Sequence, residues 1–203
     1  MTDGRILNPS VWGFMSWVFE AEDATTENPV RNLWLTALRL LFPGTLTAAR
    51  PRAAYRVSFH PATLATNPKA GAILKEIRLT ENATEIRVSA DYRTRDIFFA
   101  ECKKAGEDTA EGWERAETEL AQYLEENLDG CDWFYCAVGI GTKASFYKWD
   151  RNRGDNHRDQ LAPMHTRALD FANPADRPVI ERYFEQIKND GWDRTDPWLS
   201  SSL

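Results

Sequence analysis

Three charged residues, Asp91, Glu101 and Lys103, form the pattern in this sequence that best fits a chemical site. Side chains alternate along a β-strand, so Glu101 and Lys103 are expected to point to the same face of a sheet. Cys102 and Ala100 then point to the other face, toward the core. Asp91 ends the preceding β-like run and, depending on strand register, can lie beside Glu101 on a neighbouring strand.

Two neighbouring carboxylates and a lysine favour chemistry that uses a divalent cation. The carboxylates repel each other, and a bound cation offsets that cost. Mg²⁺ binds one or two carboxylates, keeps several waters and leaves positions for phosphate oxygens. The lysine can lower the pKa of an attacking water or stabilise charge that develops on phosphorus. The pattern therefore predicts a site for Mg²⁺ or Mn²⁺ that acts on a phosphodiester.

Strands and one amphipathic helix are expected to position this pattern. Short connections at residues 81–82 and 94–95 predict that the first three β-like runs form an antiparallel meander. Residues 108–128 have apolar side chains at helical spacing and predict the helix. The next run is apolar on both faces, which is typical of a central strand. The five predicted strands are residues 73–80, 85–92, 96–103, 133–140 and 144–149.

The rest of the chain predicts helices on either side of that core. N-terminal helices are predicted within residues 10–42, the second beginning with Asn28 as N-cap and Pro29 at its first position. Residues 54–59 indicate a short strand, residues 61–72 a loop or short helix, and residues 174–188 a C-terminal helix. We therefore predict a single domain over residues 1–203 of the α+β class, with a central mixed β-sheet flanked by helices.

The spacing from Asp91 to Glu101-Cys102-Lys103 resembles the PD-(D/E)xK pattern of the restriction-endonuclease-like superfamily, with Ala90 in place of the proline. That core runs helix, three-stranded meander, helix and strand, and its acids lie on the second and third strands. Residues 135–149, YCAVGIGTKASFYKW, and residues 119–124, ELAQYL, are similar to segments in the nuclease domain of type I restriction enzymes and their relatives. The resemblance covers a nuclease-like core at about residues 73–149.

This resemblance implies a metal-dependent nuclease that hydrolyses nucleic-acid phosphodiester bonds, with DNA favoured over RNA, and it is compatible with a homodimer. It implies Asp91, Glu101 and the Cys102 carbonyl as ligands of Mg²⁺ or Mn²⁺, and Lys103 as the residue that orients or activates water. Glu119 and Gln122 are candidate accessory residues.

Many relatives also carry a glutamate on the first helix. Glu20, Glu22 and Glu27 are candidates for that position, and the sequence does not choose among them.

Local basic segments occur on an acidic chain. The net charge is −6 and the pI is near 5.2, which argues against a protein that coats nucleic acid. Residues 87–104 nevertheless hold five basic and three acidic side chains, and residues 143–158 hold five and two. These segments indicate either phosphate contacts or ordinary surface charge. The candidates for nucleic-acid binding are Arg93, Arg95, Lys104 and Lys143.

A second interpretation is a catalytically inactive nuclease-fold protein that binds nucleic acid or protein. The acidic pI and the small size favour it. Three cysteines without a CxxC pair indicate no disulfide framework, which favours an intracellular location in cytoplasm or nucleus. The longest continuous apolar run, residues 133–140, is shorter than the roughly 20 residues of a membrane-spanning helix, so no membrane association is expected.

Overall fold

Helices cover both faces of a mixed β-sheet in the computed structural model of the chain. The structure describes residue 7 and residues 12–42, 53–64, 67–79, 92–128, 131–154 and 156–190. The elements within those residues are α1 (Trp12–Glu22), α2 (Glu27–Leu41), β1 (Ala53–Leu64), β2 (Asn67–Leu79), β3 (Tyr92–Lys103), α3 (Ala110–Asn127), β4 (Trp133–Ile140), β5 (Lys143–Asp150), β6 (Leu161–Pro163), β7 (Leu169–Asp170) and α4 (Arg177–Asp190).

The strands lie side by side in the order β1-β2-β3-β4-β5-β6, and the short β7 pairs with the part of β5 that β6 leaves uncovered. Neighbouring strands are antiparallel except β3 and β4, which are parallel. A parallel pair needs a crossover, and α3 supplies it. The predicted α+β class, with a mixed sheet flanked by helices, is confirmed.

The predicted meander is wrong in one respect that matters for the site. Residues 92–95 belong to β3 and pair with β2, so the turn expected at Thr94 and Arg95 is not there. The strand that pairs with β3 on this side is β2, whereas residues 85–91 lie outside the described residues. The register shifts by one residue between Leu74 and Lys75, which leaves Ile97 without a partner in β2 and forms a β-bulge. Ile97 and Phe98, adjacent at this bulge, both contribute to the same core cluster.

Two further boundaries differ from expectation. Residues 61–72 are predicted as a loop or short helix, but residues 61–64 and 67–72 belong to the antiparallel pair β1–β2. Backbone pairing outweighs the turn character of Pro61 and Pro68, which indicated a loop. The second helix begins two residues earlier than predicted, at Glu27 with Thr26 as its N-cap.

Alternation along β3 divides the core between the two faces of the sheet. Phe98, Ala100 and Cys102 contribute to a cluster with α1, α2 and α4, whereas Phe99 packs beneath α3. Trp34 of α2 is fully buried at the centre of the first cluster, among phenylalanine rings. Glu101 and Lys103 therefore share the α3 face with Phe99.

Within the part of the chain that the structure describes, no helix combines the length and apolar character needed to cross a membrane.

Candidate metal site at the end of β3

Glu101 and Lys103 lie at the carboxyl end of β3, in the interior of the sheet. Glu101 is flanked by Gly71 in β2 and Val138 in β4, and it is fully buried. The Lys103 Nζ atom is 3.1 Å from Glu101 Oε1, and the lysine side chain is 10% exposed. A buried carboxylate is costly without a nearby positive charge, and the ammonium group of Lys103 supplies that charge.

Helix α3 contributes a second carboxylate to this site. Glu119 Oε2 accepts a hydrogen bond from Lys103 Nζ at 2.8 Å, and its side chain is 26% exposed. Gln122, the other accessory candidate, is exposed and donates to Glu126 on the outer face of the helix. Glu119 therefore lies beside Lys103, whereas Gln122 points away from it.

The first turn of α2 brings Glu27 toward the same lysine. Glu27 is half-buried, and its carboxyl interacts electrostatically with Lys103, Glu107 and Glu119. A backbone hydrogen bond of 3.0 Å from Ala105 N to Ala24 O joins the segment after β3 to the loop before α2. Glu20 and Glu22 are exposed on α1, whereas Glu27 is the one of the three glutamates whose carboxyl interacts with Lys103.

A tight turn holds the end of β3 in place. Gly141 has φ +58°, a conformation that favours glycine, and its N–H donates to Lys103 O at 3.2 Å. A Cβ at Gly141 would lie 3.1 Å from Ala105 Cβ and 3.3 Å from Ala21 O. The β4–β5 turn, the segment after β3 and α1 therefore meet at this edge of the site.

The charge state of Lys103 follows from its neighbours. Burial acts to lower the pKa of Lys103, but the negative charge of Glu101 and the hydrogen bond to Glu119 outweigh it and raise that pKa. Lys103 is therefore a charged ammonium group at neutral pH. In this arrangement it can donate hydrogen bonds and stabilise negative charge, but it does not accept a proton.

Cys102 faces away from the carboxylates, into the first core cluster. Burial, with the nearby charges of Glu101 and Glu27, raises the pKa of its thiol well above the ordinary value of 9.0. Because a thiolate is the form that binds metal, any role of Cys102 would fall to its backbone carbonyl. That role stays a prediction.

Asp91, the first acid of the sequence pattern, lies outside the described residues. Its neighbour Tyr92 pairs with Leu79, whereas Glu101 pairs with Gly71 at the other end of β3. Nine residues of strand, roughly 30 Å at 3.3 Å per residue, separate Tyr92 from Glu101. The pairing of Asp91 with Glu101 stays a prediction, and the described residues of the site are Glu101, Lys103, Glu119 and Glu27.

The four basic candidates lie on β3, directly after β3 and at the start of β5. Arg93 and Arg95 lie in β3 opposite Arg78 and Glu76, and their side chains are not among those described. Lys104 is exposed directly after β3.

Lys143 already has an acidic partner, since it forms an ion pair with Asp108. Burial raises the pKa of Asp108, but hydrogen bonds from Lys143 and Trp113 outweigh it and lower that pKa. Lys143 is therefore held beside Asp108, while 44% of its side chain stays exposed.

A divalent cation at this site would need oxygen ligands from the surrounding side chains. Among the described residues, no three or more His, Cys, Asp or Glu side chains are grouped so as to hold a metal ion. Mg²⁺ needs fewer, because it uses one or two carboxylates and retains water ligands. The buried carboxylate of Glu101 beside an ammonium group is a hard oxygen donor of this type, and Glu119 and Glu27 are the nearest further carboxylates.

Comparison with protein-family models found no match to the chain, and searches of curated proteins and of solved structures also found none.

The sequence did not single out Glu107, which follows β3 and acts electrostatically on Glu27. No motif marks it, since it comes near Glu27 only through the meeting of α2 with the end of β3. The sequence also offered no reason to prefer Glu27 over Glu20 or Glu22.

We expect the carboxyl of Glu27 to titrate above its ordinary value of 4.5, because burial raises its pKa and the charge of Lys103 only partly compensates. A carboxyl with a raised folded-state pKa stabilises the fold below pH 4.5, and that contribution is lost as pH rises through the folded-state pKa. Carboxyl-carbon NMR titration measures the shift directly. Lys103→Met should raise the Glu27 pKa further, and an unchanged or lower value would contradict the assigned proximity.

Proposed function

We propose that this protein is a metal-dependent phosphodiesterase that hydrolyses nucleic-acid phosphodiester bonds at Glu101 and Lys103. The observation that carries the proposal is a fully buried glutamate 3.1 Å from a lysine, at the carboxyl end of a central strand. The surrounding order supports it: a β1–β2–β3 antiparallel unit, a crossover helix and a parallel fourth strand. This order is similar to that of the restriction-endonuclease-like core which the sequence resembles.

The chemical role proposed for each residue agrees with its position and charge. The carboxylate of Glu101 would hold Mg²⁺ or Mn²⁺, with Glu119 or Glu27 as a second oxygen donor. When bound, the cation would polarise the phosphoryl oxygen and favour formation of hydroxide from water. Lys103, as an ammonium group, would donate hydrogen bonds to the phosphate oxygens and stabilise the charge that develops there. This narrows the sequence-based expectation, which left water activation open for Lys103.

The second candidate is a nuclease-fold protein that binds nucleic acid or protein without cleaving it. Lys103 pairs with two glutamates, Glu101 and Glu119. This arrangement also suits a buried ion-pair network with a structural role. Metal binding separates the two candidates.

The test combines cleavage with metal binding. Wild-type protein should cut plasmid or single-stranded DNA in Mg²⁺ or Mn²⁺, and Glu101→Gln should reduce cleavage to background while keeping the shape of the side chain. Mn²⁺ should raise the melting temperature of the wild type, because a ligand of the folded state stabilises it, and should not raise that of Glu101→Gln.

Glu126→Ala, on the exposed side of α3, is the matched control and should cut DNA like the wild type. Cleavage that persists in Glu101→Gln would remove this residue from the mechanism. A wild-type protein without cleavage and without a Mn²⁺ shift would favour the non-catalytic candidate.

A further inference from the structure

A cleft lies beside α3, on the side of the helix that carries Glu117 rather than Glu119. It has a volume of about 1220 Å³ and is open to solvent. Its walls are the first half of α3, the middle of β5 and residues 153–154 and 158–168. Glu119 projects from α3 toward Lys103, whereas Glu117, two residues earlier, projects into this cleft. The cleft is therefore separate from the carboxylate site.

The sheet edge opens to form the cleft. Strand β6 ends at Pro163 and β7 begins at Leu169, so the segment between them leaves the edge of β5. His165 fills the gap, and its Nε2 atom accepts a hydrogen bond from Phe146 N at 3.0 Å. Burial lowers the pKa of His165, in agreement with a neutral imidazole in this role.

The inner wall is a hydrogen-bonded network. The Tyr147 hydroxyl donates to Glu117 at 2.6 Å, and Arg158 donates from Nε to the other oxygen of Glu117 at 2.7 Å. Arg158 Nη1 also donates to Glu114 at 2.9 Å. These bonds hold the Arg158 guanidinium at the wall while about half of its side chain stays exposed to solvent.

The rim adds further guanidinium groups. Arg167 forms an ion pair with the buried Asp176, yet its side chain is 60% exposed. Arg153 is exposed beside Gly154, whose φ of +69° turns the chain tightly against Asp159. Three arginines thus line the cleft together with the carboxylates of Glu117 and Asp159, and two of them, Arg158 and Arg167, also pair with Glu114 and Asp176. Arginine presents planar N–H groups that suit phosphate oxygens.

The volume of about 1220 Å³ is slightly above the roughly 300–1,000 Å³ of usual small-ligand pockets. Trp113 lines one end of the cleft and donates to Asp108, which also pairs with Lys143. Ser145 of the cleft wall lies opposite Val138, and Val138 lies opposite Glu101. Two strand spacings, roughly 10 Å, therefore separate the cleft from the carboxylate site across the sheet.

We propose that this cleft binds a single strand of nucleic acid through its phosphates, with Arg153, Arg158 and Arg167 as the contacting cations. Trp113 offers an aromatic face on which a base can stack. The choice of nucleic acid as the ligand rests on the proposed function. The cleft itself is defined by its lining residues and does not depend on that function.

Binding of a fluorescently labelled mixed-sequence DNA single strand to the full chain in EDTA tests the proposal without cleavage. Arg153→Glu should weaken binding by about tenfold or more and reduce the salt dependence by about one phosphate contact. Thr166→Glu, which adds a charge at an exposed position of the wall, should also weaken binding. Arg153→Lys should retain most of the affinity. The matched control is Arg182→Glu on the exposed side of α4, which should bind like the wild type.

Equal affinity of Arg153→Glu and wild type, an equal loss in Arg182→Glu, or no binding by the wild type would overturn the cleft proposal. Its failure is distinct from that of the proposed function. If Glu101→Gln abolishes cleavage but Arg153→Glu leaves binding unchanged, only the cleft proposal fails. If Arg153→Glu weakens binding but no cleavage depends on Glu101, only the proposed nuclease function fails.

Discussion

Replacing Lys103 with methionine is expected to lower the free energy of unfolding by about 3–5 kcal/mol, the usual cost of removing one partner of a buried ion pair. Glu101 is fully buried and Lys103 Nζ lies 3.1 Å from its carboxylate. Methionine is of similar length, so the main change is the loss of the positive charge. Urea unfolding at pH 7, followed by circular dichroism, measures the difference.

A double variant makes this prediction specific. Glu101→Gln/Lys103→Met removes both charges and should recover most of the lost stability, because no buried carboxylate remains without its ammonium partner. Lys104→Met, on the exposed neighbouring residue, is the matched control and should stay within about 0.5 kcal/mol of the wild type. A double variant as unstable as Lys103→Met would show that Lys103 stabilises the fold by packing rather than by charge.

The same variant has an expected pH dependence. Without the ammonium group, burial should raise the folded-state pKa of Glu101 above its unfolded value. A raised carboxyl pKa favours folding at low pH and loses that contribution as pH rises through it. The stability deficit of Lys103→Met should therefore shrink as pH falls from neutral toward the ordinary glutamate range.

Substituting Gly139 by alanine is expected to destabilise the protein by about 3 kcal/mol or more, at or above the upper end of overpacking costs. A Cβ at this position would lie 2.1 Å from Trp34 Nε1 and 2.8 Å from Trp34 Cε2. Trp34 is fully buried against Phe98, Phe146 and other rings, so it has little room to move. Thermal or urea unfolding measures the loss.

Gly106→Ala is the matched control, since a Cβ there would meet nothing within 4 Å. It should change stability by less than about 0.5 kcal/mol. Adding Trp34→Phe to Gly139→Ala should cost less than the sum of the two single changes, because the smaller ring makes room for the methyl group. Full additivity would mean that the close approach of Trp34 is not the source of the cost.

This packing also affects the proposed site. Gly139 pairs with Cys102 across the parallel strands, and Trp34 joins α2 to the sheet at that level. Helix α2 begins at Glu27, which acts on Lys103. A shift of Trp34 would therefore move Glu27 relative to the end of β3. Gly139→Ala is expected to weaken any activity of the site as well as the fold.

Local pattern alone was sufficient for several elements. The apolar run at residues 133–140 has the same bounds as β4, and residues 108–128 enclose α3. Alternation correctly placed Glu101 and Lys103 on one face, opposite Cys102. These features depend on how apolar and polar side chains alternate over a few neighbouring residues, and that alternation can be read directly from the sequence.

Long-range pairing determined the rest. Whether residues 92–95 turn or extend depends on β2, which is distant in sequence and carries no local signal for its partner. Glu119 rather than Gln122 lies at the site because of how α3 is rotated over the sheet, and Glu27 rather than Glu20 or Glu22 because of where α2 begins. The sequence by itself determined which side chains could share a strand face. Only tertiary packing decided which of them meet, since contacts between elements depend on the whole core rather than on local spacing.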